Sequence, residues 1–140
     1  MTDDEYRAFL TARPAHTGKL ATTRADGHPH VAPIWYDLDA DGTVVFTTGA
    51  ESLKGKALRR DPRVCLCVDD ESPPFSFVVI EGTAKISEDL DELLVWATRI
   101  AGRYVGHDQA EAFGRRNAVP GELLVRMTPS HVVAHAGITD

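Results

Sequence analysis

The feature that most limits how this chain can fold is a series of strand-length segments separated by tight turn signals. Residues 19–24 are closed by Ala25-Asp26-Gly27, residues 30–38 by Asp39-Ala40-Asp41-Gly42, and a third segment, 43–48, follows at once. An Asp-Gly step between β-rich segments supplies the positive φ that a short hairpin turn needs. The spacing predicts consecutive hairpins of an antiparallel meander. Further strands are expected at 63–69, at 75–86 and at 122–135, with Glu81-Gly82 marking a bulge or sharp bend inside the second of these. Six or so antiparallel strands, most without an intervening crossover helix, specify a mainly β fold. A β-barrel with peripheral helices fits better than a doubly wound sheet.

The helices announce themselves by caps and periodicity. Thr2 and Glu5 stand at capping-box spacing, and Tyr6, Phe9 and Leu10 form one apolar face of a first helix that ends near Pro14. Ser52 is placed to cap a helix over 52–60, with Leu53, Ala57 and Leu58 facing inward, until Asp61-Pro62 stops it. Ser87 is the expected cap of the longest helix. Its Leu90, Leu93, Leu94, Ala97, Ile100, Ala101 and Tyr104 recur at helical spacing, and Gly106 ends it. Asp108 and Glu111 open another short helix that stops at 117–120. No repeat or linker intervenes, so residues 1–140 read as one domain.

Composition narrows the function. Fifteen basic against 21 acidic residues leave a net charge of −6, which disfavours nucleic acid as a partner because that requires a basic footprint. No segment approaches the roughly 20 apolar residues that cross a bilayer, and the acidic N-terminus is unlike a secretory signal, so no membrane partner and a cytoplasmic location are expected. A chain of 140 residues covers its apolar surface poorly, which makes a homodimer a natural expectation. Cys65 and Cys67 share one face of a strand and are expected in the core, as are Trp35 and Trp96. His28 and His30 flank Pro29 without a third ligand in sequence reach, which leaves no metal expected. His131 and His135 read as surface positions.

The segment Thr47-Thr48-Gly49-Ala50-Glu51-Ser52-Leu53-Lys54-Gly55-Lys56 carries the chemistry. It runs from a strand into a helix N-terminus, where free N–H groups and the macrodipole favour an anion. Lys54 and Lys56 lie in the first helical turn, where cations are disfavoured unless something compensates. A bound phosphate would do so, with Ser52 and the Thr47 and Thr48 hydroxyls as further donors. The alternative is a pair of lysines on a solvated helix face. The motif is not a Walker loop, because its glycine and lysine spacing differs.

Beyond these local signals, the chain resembles the flavin-binding split-barrel superfamily of pyridoxamine-phosphate-oxidase-like proteins. The resemblance is carried by Leu20-Ala21-Thr22, Asp26-Gly27-His28-Pro29-His30, Pro33-Ile34-Trp35-Tyr36, Phe46-Thr47-Thr48, the stretch from Ser52 to Val64, and Phe77-Val78-Val79-Ile80-Glu81-Gly82-Thr83-Ala84. Within the superfamily, Arg103-Tyr104-Val105-Gly106 and Asn117 to Glu122 are similar to the branch that uses the deazaflavin coenzyme F-420. True pyridoxamine phosphate oxidases carry a longer basic C-terminal region, so vitamin B6 oxidation is not expected.

The resemblance implies a homodimer with the cofactor in a groove between subunits. Ser52, Lys54 and Lys56 would hold its phosphate, while Pro33, Ile34, Trp35, Thr47 and Thr48 would line the ring. Phe75 and Phe77, from either subunit, would pack on the ring or substrate, and Arg59 or Arg60 would meet an anionic polyglutamate tail. The implied reaction is hydride transfer from reduced coenzyme F-420 to a small electron-poor acceptor such as a quinone, nitro compound, enone or tetrapyrrole. No Ser-His-Asp order or paired carboxylates call for a protein nucleophile, so the cofactor carries the chemistry. A proton would come from solvent, Tyr36 or a histidine. FMN as cofactor, or a non-enzymatic role in binding haem or flavin, are the alternatives.

Overall fold

Each turn signal in the first third of the chain does fold the backbone back, yet the strands assemble in an order no meander gives. The computed structural model describes residues 1–140. Strand β1 (Gly18–Thr23) pairs with β2 (Pro29–Ile34) across a turn in which Gly27 has φ +84°. Strand β3 (Asp37–Leu38) pairs with β4 (Val44–Gly49) across Gly42, at φ +89°. Strands β5 (Arg63–Asp69), β6 (Phe77–Ser87) and β7 (Glu122–His135) follow as antiparallel neighbours. Because β1 also pairs with β5, and β4 with β7, the sheet order is β2-β1-β5-β6-β7-β4-β3.

The single strand expected over 30–38 is therefore two, and they lie at opposite edges of the sheet. Laid flat, seven strands would be about 29 Å wide. The backbone from Ile34 to Asp37 reaches only about 10 Å. The sheet must curl until its edges approach, and the short crossover through Trp35 and Tyr36 holds them together. This curled sheet with four helices is a split barrel.

Alternation decides what lies inside. Val64, Leu66 and Val68 of β5 enter the main core with Leu20, Phe46, Ile80 and Val125. Cys65 and Cys67 share a face as expected, but it is the outward, half-exposed one rather than the core. The bulge expected at Glu81-Gly82 is present as a register shift. A Cβ on Gly82 would lie 2.5 Å from the Thr128 carbonyl oxygen, so the bend needs glycine.

Helix α1 (Asp3–Leu10) is capped by Thr2 as expected. Helix α2 (Leu53–Arg60) is capped by Ser52 and buries Ala57 and Leu58. Leu53 does not face inward; it is 60% exposed, because the first helical residue lies beyond the core. Helix α3 (Leu90–Val105) is capped by Asp89, whose carboxylate accepts from the N–H groups of Asp91 and Glu92. Ser87 still belongs to β6, and its hydroxyl accepts from Asp89 N–H instead. Helix α3 covers the outward side of the barrel, where Leu93 and Trp96 meet Val45 and Leu124. Leu90 and Leu94 of its expected apolar stripe remain exposed. Helix α4 (His107–Asn117) packs on α3 so closely that a Cβ on Gly114 would meet Thr98 Oγ1 at 2.0 Å. No helix is long and apolar enough to cross a membrane.

Candidate functional site

A cavity of about 270 Å³ lies where the end of β2, the outward face of β4, the start of α2 and the middle of α3 meet. Pro33, Ile34 and Trp35 form one wall and Ala97, Ile100 and Ala101 the other, with Thr47, Lys54 and Asn117 as the polar residues. Five residues singled out in the sequence, Pro33, Ile34, Trp35, Thr47 and Lys54, thus converge on one space.

Strand parity separates Thr47 from Thr48. Consecutive strand residues point to opposite faces. Thr47 faces outward into the cavity, whereas Thr48 is buried and lies 3.1 Å from the Ser52 hydroxyl. Ser52 accepts from Gly55 N–H at 3.0 Å and donates to the Gly49 carbonyl at 2.7 Å, so its hydroxyl closes the turn that starts α2. A Cβ on Gly55 would sit 2.1 Å from the Gly49 oxygen. Only glycine lets the first turn of α2 lie against the end of β4, and that proximity brings Lys54 to the cavity.

The basic residues of α2 then differ. Lys54 is half-buried, lines the cavity and has no acidic partner. Lys56 is exposed, 3.7 Å from Glu51, and Arg59 pairs with Glu88 at 2.9 Å; neither lines the cavity. Phe75 and Phe77 border a separate cleft of about 590 Å³ with Lys19, Cys67 and Ile138. Phe75 has φ +61°, a left-handed conformation that bulky residues rarely adopt.

Trp35, expected in the core, is 42% exposed. Its neighbour Tyr36 takes the inward position and donates its hydroxyl to the Leu10 carbonyl at 2.7 Å. Burial, the largest cause, pushes the Tyr36 phenol well above its ordinary value. A fully buried, bonded phenol cannot reach the cavity, which removes Tyr36 as a proton source. The Trp35 ring stacks on Tyr104 at 5.0 Å and 3°. Arg103 donates to the carbonyls of Tyr36 and Leu10 and lies 3.8 Å from Asp37.

Sequence reasoning did not assign Ala97, Ile100, Ala101 and Asn117 to the site. The available signal was the Ala97/Ala101 pair, small residues one turn apart within a stripe of larger ones, where a helix leaves room beside it. The cavity joins a cation, a helix N-terminus and a hydroxyl to flat apolar walls. Such a set has the chemistry to take an elongated molecule that carries an anionic group and a planar portion. Its nine lining residues include no His, Asp, Glu or Cys.

The family model described as pyridoxamine 5'-phosphate oxidase matches residues 2–136. A solved structure of a conserved hypothetical protein from Mycobacterium tuberculosis superposes with a TM-score of 0.83 at 30% identity, over 96% of this chain and 84% of that one. An F-420 reductase superposes with a TM-score of 0.68 at 23% identity, over 90% and 94% of the two chains, a likeness of fold. A 5a,11a-dehydrotetracycline/5a,11a-dehydrooxytetracycline reductase from Streptomyces rimosus is 33% identical over 75 residues, 49% of this chain and 53% of the relative. The match thus spans about half of each.

Proposed function

Since the chain belongs to the pyridoxamine 5'-phosphate oxidase family, whose model matches residues 2–136, we propose that it is an oxidoreductase that holds coenzyme F-420 in the Trp35–Lys54 cavity and reduces a small electron-poor acceptor. The observation that carries this reading is the half-buried Lys54, without an acidic partner, at the polar part of a space whose other walls are apolar. The residues fit a flavin-type molecule. Lys54 and the first N–H groups of α2 meet the phosphate, Thr47 and Asn117 offer hydrogen bonds, and Pro33, Ile34, Trp35 and Ile100 flank the ring system. The bound coenzyme supplies a hydride. The chain orients it, excludes water with the α3 wall and leaves the proton to solvent. Quinones, nitro compounds, enones and tetrapyrroles are the acceptor classes, and the dehydrotetracycline reductase among the relatives supports a reductive direction. Haem fits less well, because none of the nine lining residues is His, Cys, Met or Tyr, the usual ligands of its iron.

A homodimer is part of the same reading. On the outward face of the sheet the registers bring Cys67, Val79 and Val133 into one row, beside a row of Asp69, Phe77 and His135. Val133 is 39% exposed, and a second copy covering these rows would bury the patch. In that arrangement Phe75 and Phe77 serve the partner's groove, and Arg59 would exchange its Glu88 partner for an anionic tail.

Titration of the purified protein with F-420 and with FMN, followed by fluorescence, tests the proposal. F-420 is expected to bind more tightly. Lys54→Ala is expected to weaken it about tenfold, the loss of one charge-assisted hydrogen bond, and Lys56→Ala less than about twofold. Tight FMN binding without F-420 binding overturns the choice of cofactor. Unchanged affinity in Lys54→Ala overturns the site.

A further inference from the structure

The walls of the cavity differ in how they are held. Ala97, Ile100 and Ala101 belong to a helix, whereas Trp35 lies in the crossover between β2 and β3, outside both strands. A large, 42% exposed indole on such a segment has several rotamers open to it. The last turn of α3 removes that freedom. Tyr104 lies one turn beyond Ile100 and Ala101 on the same helix face, and its ring is parallel to Trp35 within 3°. Its hydroxyl donates to the His16 carbonyl at 2.7 Å and accepts from Tyr36 N–H at 3.4 Å, which ties the ring to the loop before β1 and to the crossover itself. Phe113 of α4 approaches Trp35 at 6.4 Å and 50°.

We propose that Tyr104 is a positioning residue. Its ring holds the Trp35 indole in place as a wall of the cavity and so sets the affinity for the planar part of the ligand. The role rests on the cofactor reading above, and Tyr104 acts through Trp35.

The test uses the full chain with Trp96→Phe, which leaves Trp35 as the only tryptophan. Acrylamide quenching of Trp35 fluorescence is measured without ligand, and affinities for F-420 and FMN and the melting temperature are measured alongside. Tyr104→Leu, which removes the stack, is expected to increase quenching and to weaken whichever molecule binds by about fivefold. Tyr104→Phe keeps the stacking ring but loses the two hydroxyl bonds, and is expected to fall between the parent and Tyr104→Leu in both readouts. Unchanged quenching, or unchanged affinity, in Tyr104→Leu overturns the positioning role. Equal losses of affinity in the Phe and Leu variants, in step with melting temperature, overturn it in favour of a purely structural role. A parent protein that binds neither molecule overturns the cofactor reading itself and this role with it.

Discussion

Replacing Arg103 by methionine measures how firmly α3 grips the β2–β3 crossover. The Arg103 side chain is only 4% exposed. It donates to the Tyr36 carbonyl and, at 3.0 Å, to the Leu10 carbonyl, while its guanidinium carbon lies 4.9 Å from the Tyr36 ring and 5.4 Å from the Tyr104 ring. Methionine keeps much of the apolar packing and supplies no donor. The Leu10 carbonyl retains the Tyr36 hydroxyl at 2.7 Å, so the loss there is small. The Tyr36 carbonyl loses a charged donor in a buried place. Asp37 keeps the Leu38 N–H at 2.8 Å and Arg99 at 3.6 Å, and is not left stranded. These changes together come to about 3 kcal/mol, the low end of the cost of breaking a buried ion pair. At the usual unfolding entropy per residue, that lowers the melting temperature of this chain by about 10 °C. Arg99→Met is the control. That side chain is half exposed, loosely paired with Asp37 and 4.2 Å over the Trp96 ring, and its loss is expected to cost less than about 1 kcal/mol. Thermal melts of both variants at equal concentration, followed by circular dichroism, decide the matter. A loss in Arg103→Met no larger than in Arg99→Met refutes the argument.

Gly55→Ala sets helix propensity against a clash. The substitution gains up to about 1 kcal/mol of propensity, but the new Cβ falls 2.1 Å from the Gly49 oxygen and 3.0 Å from the Ala50 oxygen, both backbone atoms. A net destabilisation of about 2 kcal/mol is expected in urea unfolding, and a stabilised variant sinks the packing argument. Glu122, beside the end of β4, has its carboxyl raised by burial. The folded state then holds its proton more tightly than the unfolded chain, so stability falls as pH rises from the ordinary carboxylate value of 4.5 through the raised one. Glu122→Gln is expected to remove that part of the pH dependence, and an unaltered stability–pH profile in the variant contradicts the assignment.

The elements themselves were legible because their signals are local. Strands at 63–69 and 122–135 were read with the bounds the structure has, and the Thr2 and Ser52 caps, the Gly106 stop and the Glu81-Gly82 bulge also stand where the sequence placed them. Each depends on residues within a few positions of one another. The same locality placed Cys65 and Cys67 on one face without saying which, since alternation carries no sign until the strand meets a core. It joined residues 30–38 into one strand, because nothing nearby records that β1 pairs with β5 and β4 with β7, the pairings that send β2 and β3 to opposite edges. Trp35 was counted as core for the same reason; only closure of the barrel puts the crossover at the surface and gives the inward place to Tyr36. The turn into α2, with its Ser52 cap and its two lysines, was likewise visible in the chain, whereas the difference between Lys54 and Lys56 was not. That difference arises where α2 docks on β4 and α3 crosses above them, contacts between residues far apart in sequence that exist only once the chain has closed on itself.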